Sequence, residues 1–254
     1  MTPDQTAAAT RAAIHELGGA FAECPKTLQR ARQLGLTGWS FYVAGRGGAL
    51  GDVRPDTVAA ALGFIAPDAV RDGWETARRI TPPSQVAAQH LVECCRWGRE
   101  RLDLFAGVDR LVELAERVVL AADPAGLTLF AAWRSMPLPE DGPGARAAAL
   151  AKLLREYRSG VHLVAIRAGG LTPLEALIAS EDGEAAAVAY GWQPPFPPFE
   201  PLLRRRIRAD VITDRVTGEA YRVLEVAERV ELIRLFAEAV EASRTPSAQY
   251  PLVS

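Results

Sequence analysis

Cysteine, lysine and strand-like alternation are scarce in this sequence. The three cysteines, Cys24 and the adjacent Cys94 and Cys95, are too few for a disulfide framework, and neighbours on a helix point their sulfurs apart. A reducing compartment is therefore expected, and with it a cytoplasmic location. No run of eighteen apolar residues occurs, so a membrane-spanning helix is not expected and the membrane is excluded as a partner. Residues 1–11 hold no basic segment followed by an apolar stretch, which argues against secretion. Lysine is confined to Lys26 and Lys152 while alanine and arginine abound, a bias typical of a GC-rich genome that carries no chemistry. A formal charge of -2 gives no global attraction to nucleic acid, although a local basic patch could supply one.

Catalytic signatures are missing too. No Gly-x-Ser-x-Gly elbow, nucleotide loop or nicotinamide or flavin fingerprint is present. The segment GRGG at 45–48 lacks the Gly-Lys-Ser/Thr ending and the preceding strand of a phosphate loop. Neither H-x-x-x-H nor C-x-x-C occurs, so no metal and no cofactor is expected.

What remains is an ordinary globular composition, 49% hydrophobic and 24% charged over 254 residues, enough to bury a core without disulfides or a metal. Helical periodicity dominates, so the core must form by helices packing on helices. Helices are expected from Asp4 to Phe21, Pro25 to Gly35, Pro55 to Ile65, Pro67 to Arg79, residues 82–84 to Phe105, Asp109 to Leu120, and Gly126 to Trp133. Between Gly38 and Val53, five glycines predict a short aromatic helical turn leading into a loop. The run MPLPEDGPG, 136–144, reads as an exposed linker between a helical domain, 1–135, and a second domain, 145–254. In the second part, a helix from Ala145 to Ser159 precedes GVHLVAIRAGGL, and Thr172 caps a further helix. A basic helix, a short β-prone turn unit and an amphipathic helix from Val223 to Ala242 complete a degenerate winged-helix-like unit. The fold class is thus mainly α, and the last helix offers a seam for a homodimer.

The phrases LGLTGWSFYVAGRGGALGDV, LLREYRSGVHLVAIRAGGLTPLEALI and ITDRVTGEAYRVLE resemble a largely uncharacterised family of actinobacterial proteins with a C-terminal winged helix-turn-helix. The resemblance spans most of the chain. His15 with Glu23, Tyr42 with Arg46 and Leu50-Gly51, and Arg158 with Gly160 and His162 fall at matching places. It implies a regulator-like protein. Where regulators of the multiple-antibiotic-resistance type continue from Gly-Trp into a helix that lies in the major groove, Gly191-Trp192 here continues into QPPFPPFEP. Prolines there leave no rigid helix face for base edges, which disfavours DNA as a partner.

Each candidate residue has a functional and a plain structural reading. His162, between Gly160 and an apolar segment, suits a general acid or base; the alternative is a core histidine bonded to a carbonyl. Arg46, beneath Phe41 and Tyr42 among glycines, can hold a carboxylate, phosphate or enolate in a bidentate fork, or else bind the carbonyls of a helix end. His15 and Glu23 share a face only if their helix runs unbroken past Gly18 and Gly19. Trp192, with Phe196 and Phe199, covers a pocket or simply packs its own loop. Arg204, Arg205, Arg206 and Arg208 could grip phosphates but cannot all lie on one helix face.

These residues point to a small-molecule-binding protein of specialised metabolism. A cofactor-independent acid/base enzyme of isomerase, cyclase or hydrolase type would use His162 and Arg46 as catalytic residues, with Tyr42, His15, Glu23 and Trp192 binding the ligand. The competing readings are a ligand-responsive winged-helix DNA-binding regulator and a non-catalytic interaction protein.

Overall fold

The computed structural model describes residues 1–138, 140 and 142–244, so parts of the 136–144 linker lie outside the described residues. Thirteen α-helices and no strand occur among the described residues, and the fold is mainly α. Helix starts follow local chemistry. Proline opens α1 (Pro3–Leu17), α2 (Pro25–Gln33), α4 (Pro55–Leu62), α5 (Pro67–Arg78) and α6 (Pro83–Leu102), because its missing N–H is unneeded in a first turn. Threonine caps α1 at Thr2 and α3 (Gly38–Gly47) at Thr37, each in a reciprocal capping box, a device worth about 1 kcal/mol. α7 (Val108–Ala121) and α8 (Thr128–Arg134) complete the first part.

The organising element is α9 (Pro143–Ala168), 26 residues long and so about 39 Å in length. It packs against α1, α6, α7, α8 and, further on, α12 (Glu200–Gly218). Alanines 147, 148, 149 and 151 are all buried along it, and small residues let neighbouring backbones come close. At the crossing with α6, a β-carbon on Gly98 would lie 2.3 Å from the Gly144 carbonyl oxygen. The larger core cluster runs from Ala7 to Val240, filled from both sides of 136–144, and its C-terminal contribution includes α13 (Val226–Arg244). A smaller cluster joins the end of α9 to α10 (Pro173–Ile178), α11 (Gly183–Ala189) and α12.

Four local expectations are corrected. The first helix ends at Leu17, and residues 20–23 form a separate 3-10 turn; a β-carbon on Gly18 would meet the Ala151 carbonyl at 2.7 Å, so α1 closes where its end touches α9. The glycine-rich segment is helix through Gly47, not loop. Its glycines serve packing: β-carbons would lie 2.4 Å from the His90 ring at Gly45 and 2.0 Å from the Pro83 carbonyl oxygen at Gly48. α9 does not stop at Ser159, and Gly160 sits inside it against Leu127. The β-prone unit is the end of α12 and a 3-10 turn, Glu219–Val223. The hydroxyls of Thr213 and Thr217 donate to carbonyls four residues back, which accommodates β-branched residues in the helix.

Candidate functional site

Where the two clusters meet along α9, the helices enclose an open cavity of about 1070 Å³, at the upper end of the range for small-molecule sites. α1 supplies Ile14 and His15, α3 supplies Arg46, and α9 supplies Arg155, Glu156, Ser159 and His162. Apolar wall comes from Leu50, Ala60, Ala61, Leu127 and Phe130, while α12 closes one side with Leu203, Arg206 and Asp210. His15, Arg46 and His162, far apart in sequence, therefore line one space.

Arg46 lies in helix rather than in a turn, and its fork is already taken. Nε and Nη2 donate to the two carboxylate oxygens of Glu156 at 2.9 and 2.8 Å, and Nη1 donates to the Tyr42 hydroxyl at 3.1 Å. Tyr42 thus backs Arg46 and is not part of the cavity wall. The Lys152 ammonium also faces Glu156, 3.6 Å from the carboxylate, and lies 3.3 Å from the Trp133 ring centroid. Trp133 in turn donates from Nε1 to the Arg46 carbonyl. Burial would raise the Glu156 carboxyl, but Arg46 and Lys152 outweigh it and hold it well below the usual carboxylate range. Burial pulls Lys152 down to about 8 against the attraction of Glu156. The outcome is a buried triad of two cations and one anion.

His162 stands on α9 with its ring stacked on Phe64, centroids 5.6 Å apart. Its tautomer follows from its neighbours. The Thr213 hydroxyl gives its hydrogen to the Ala209 carbonyl at 2.7 Å, so it can only accept from His162 Nδ1, 2.9 Å away. Nδ1 therefore carries the proton, and Nε2, itself buried, keeps a lone pair that has no partner among the described residues. Burial, followed by the Arg206 charge, lowers the ring to about 4, so the base form is the one present at neutral pH.

Glu23 and Trp192 are not among the residues that line the cavity. Glu23 is in the 3-10 turn after the break at Gly18. Trp192 packs with Phe196 on the smaller cluster and donates to the Phe64 carbonyl at 2.8 Å, so it supports the ring that stacks on His162. Arg158, on α9, reaches Asp214 and the Ala7 carbonyl. Of the arginine cluster, Arg206 lines the cavity and pairs with Asp210, while Arg204, Arg205 and Arg208 are exposed. Among the described residues, no three His, Cys, Asp or Glu side chains are grouped as a metal-ligand set.

Sequence reasoning passed over Arg155, Glu156 and Lys152. The signal for the first was present: Arg155, Ser159 and His162 fall at i, i+4 and i+7, one face of a helix, once α9 is drawn through Gly160. His90 is sealed between Phe21, Phe41 and Trp133, with neither ring nitrogen bonded among the described residues. Burial keeps it neutral, far below its ordinary pKa.

The model of a helix-turn-helix family matches residues 7–196, most of the chain. No curated protein and no solved structure matches it. No helix among the described residues is long and apolar enough to cross a membrane. The chain belongs to the helix-turn-helix family.

Proposed function

We propose that this member of the helix-turn-helix family binds a small organic molecule in the cavity along α9, and that His162 is the proton acceptor there. The observation that carries the reading is the buried Nε2 lone pair of His162, left without a partner among the described residues, on a residue that shares one cavity with Arg46 and His15. A neutral imidazole with Nδ1–H anchored on Thr213 accepts a hydrogen bond from a ligand hydroxyl, or removes a proton from it. Such a step needs no cofactor and belongs to the isomerase, cyclase or hydrolase type. Arg46 supports the wall through Glu156 rather than meeting the ligand with a free fork.

A second reading, a ligand-responsive DNA-binding regulator, is favoured by the family match. It keeps the cavity and makes its ligand an effector. Within the matched span, α10 and α11 are two short consecutive helices joined by a tight turn. Against base reading by α11, the turn and first residues carry exposed Glu181, Asp182 and Glu184, which repel phosphates. α11 spans only seven residues, GEAAAVA, without the Arg, Asn or Gln side chains that read base edges.

Native mass spectrometry of the purified protein, with fluorescence anisotropy against its own upstream DNA at two salt concentrations, separates the readings. A retained small molecule without sequence-dependent DNA binding supports the enzyme-like reading. Saturable, sequence-dependent DNA binding released by a ligand supports the regulator, and absence of any retained or added ligand removes both.

A further inference from the structure

Five arginines line the cavity, and they are not equivalent. Arg46 is held by Glu156, Arg158 by Asp214 and Arg206 by Asp210. A guanidinium that already faces a carboxylate has little charge left to offer a ligand. Arg11 is exposed on α1. Arg155 alone is half-buried and has no hydrogen bond or ion pair among the described residues.

Its position is nevertheless defined. The guanidinium lies against Gly19, where an added β-carbon would come within 3.1 Å of both Cζ and Nη1. The Tyr190 hydroxyl, also on the cavity wall, makes no hydrogen bond among the described residues, so a second donor is free. A partly desolvated cation and an unused hydroxyl donor lining the same cavity are groups that recognise an anion.

We propose that Arg155 is the binding point for the negatively charged group, carboxylate or phosphate, of an organic ligand whose remaining body is apolar. The inference rests on the cavity reading above and specifies what the cavity holds. The apolar body lies against Leu50, Ala60, Ala61 and Leu127. His162, seven residues along the same face of α9, stands about 10 Å further on by helix rise, within reach of a hydroxyl or amine at the ligand's other end. The anion-binding part expected of Arg46 passes to Arg155, because Glu156 occupies the fork of Arg46.

The test uses two fluorescent probes of similar aromatic body, the anionic 1-anilinonaphthalene-8-sulfonate and the neutral N-phenyl-1-naphthylamine. Each is titrated into the full-length protein, and octanoate, octyl phosphate and octanol are used as competitors. Wild type binds both probes, and the anionic competitors displace the sulfonate probe at lower concentration than octanol does; which of the two acts first distinguishes carboxylate from phosphate. Arg155→Gln weakens the sulfonate probe roughly tenfold and leaves the neutral probe within about twofold. Arg155→Lys recovers part of the loss, since it keeps the charge without the fork. The proposal is overturned if Arg155→Gln leaves the sulfonate probe unchanged or weakens both probes equally. Failure of wild type to bind either probe removes the cavity reading itself. If Arg155→Gln does not fold by near-UV circular dichroism, Gly19→Ala, which displaces the guanidinium instead of removing it, provides the same comparison.

Discussion

Glu156 is the residue whose loss the structure penalises most clearly. It is 2% exposed and faces two cations, Arg46 through a bidentate contact and Lys152 at 3.6 Å. At an effective dielectric of about 20, each such attraction is worth about 4 kcal/mol, offset by the cost of burying the carboxylate itself. Glu156→Gln keeps the shape and removes the charge, leaving two neighbouring buried cations that repel each other. Breaking a buried pair from one side costs about 3–5 kcal/mol, which for a chain of this size lowers the melting temperature by roughly 10 °C. Thermal and urea denaturation at pH 7 measure it. Lys152→Met in the Glu156→Gln background removes one of the two stranded cations and recovers part of the loss, which makes the effect non-additive. A Glu156→Gln protein within about 1 kcal/mol of wild type would refute the triad as a stabilising unit.

Lys152 predicts an unusual pH dependence. Its folded pKa, about 8, lies below the ordinary 10.5, so between those values the unfolded chain binds the proton that the native state has lost. Stability therefore rises with pH across that window, by up to roughly 3 kcal/mol. Denaturation of wild type and Lys152→Met at pH 7 and pH 10 reads the effect as the difference between the two slopes, since burial pushes the Cys94 thiol up and this opposes the trend equally in both. His162, lowered to about 4 from 6.5, contributes stability that is complete above pH 6.5 and declines as pH falls toward 4. NMR titration of the ring should show it neutral at pH 6, and His162→Gln should make that limb of the stability curve shallower, leaving the part that His15 and His90 contribute. Gly45→Ala places a methyl group 2.4 Å from the His90 ring; overpacking of about 1–3 kcal/mol, read by urea denaturation, is expected with no change in helix content.

Much of the fold was legible because helix boundaries are local chemistry. Pro25, Pro55, Pro67 and the Thr172 cap mark their helices in the sequence as they do in the structure. Glycine was the source of error. In a single sequence, a glycine that supplies positive φ and one that admits a neighbouring helix look alike. Gly45, Gly48 and Gly160 belong to the second kind, and reading them as breaks turned the end of α3 into a loop and cut α9 at Ser159. The cost fell on the site, since dividing α9 separated Arg155 from His162 and hid the stripe they form.

The candidate site was legible in its residue types and not in their pairing. His15, Arg46 and His162 could be chosen by chemistry and context, and all three line the cavity. Whether an arginine is free for a ligand depends on its partner, and the partner of Arg46 lies 110 residues away. Periodicity reports which face of a helix an arginine occupies but says nothing about the carboxylate opposite. The same side chain is thus a ligand-binding cation or a structural one according to an element elsewhere in the chain. In this fold, adjacent positions on α9 divide the two roles: Glu156 occupies Arg46 from across the core, while Arg155, one residue earlier, lines the cavity with no ion pair among the described residues.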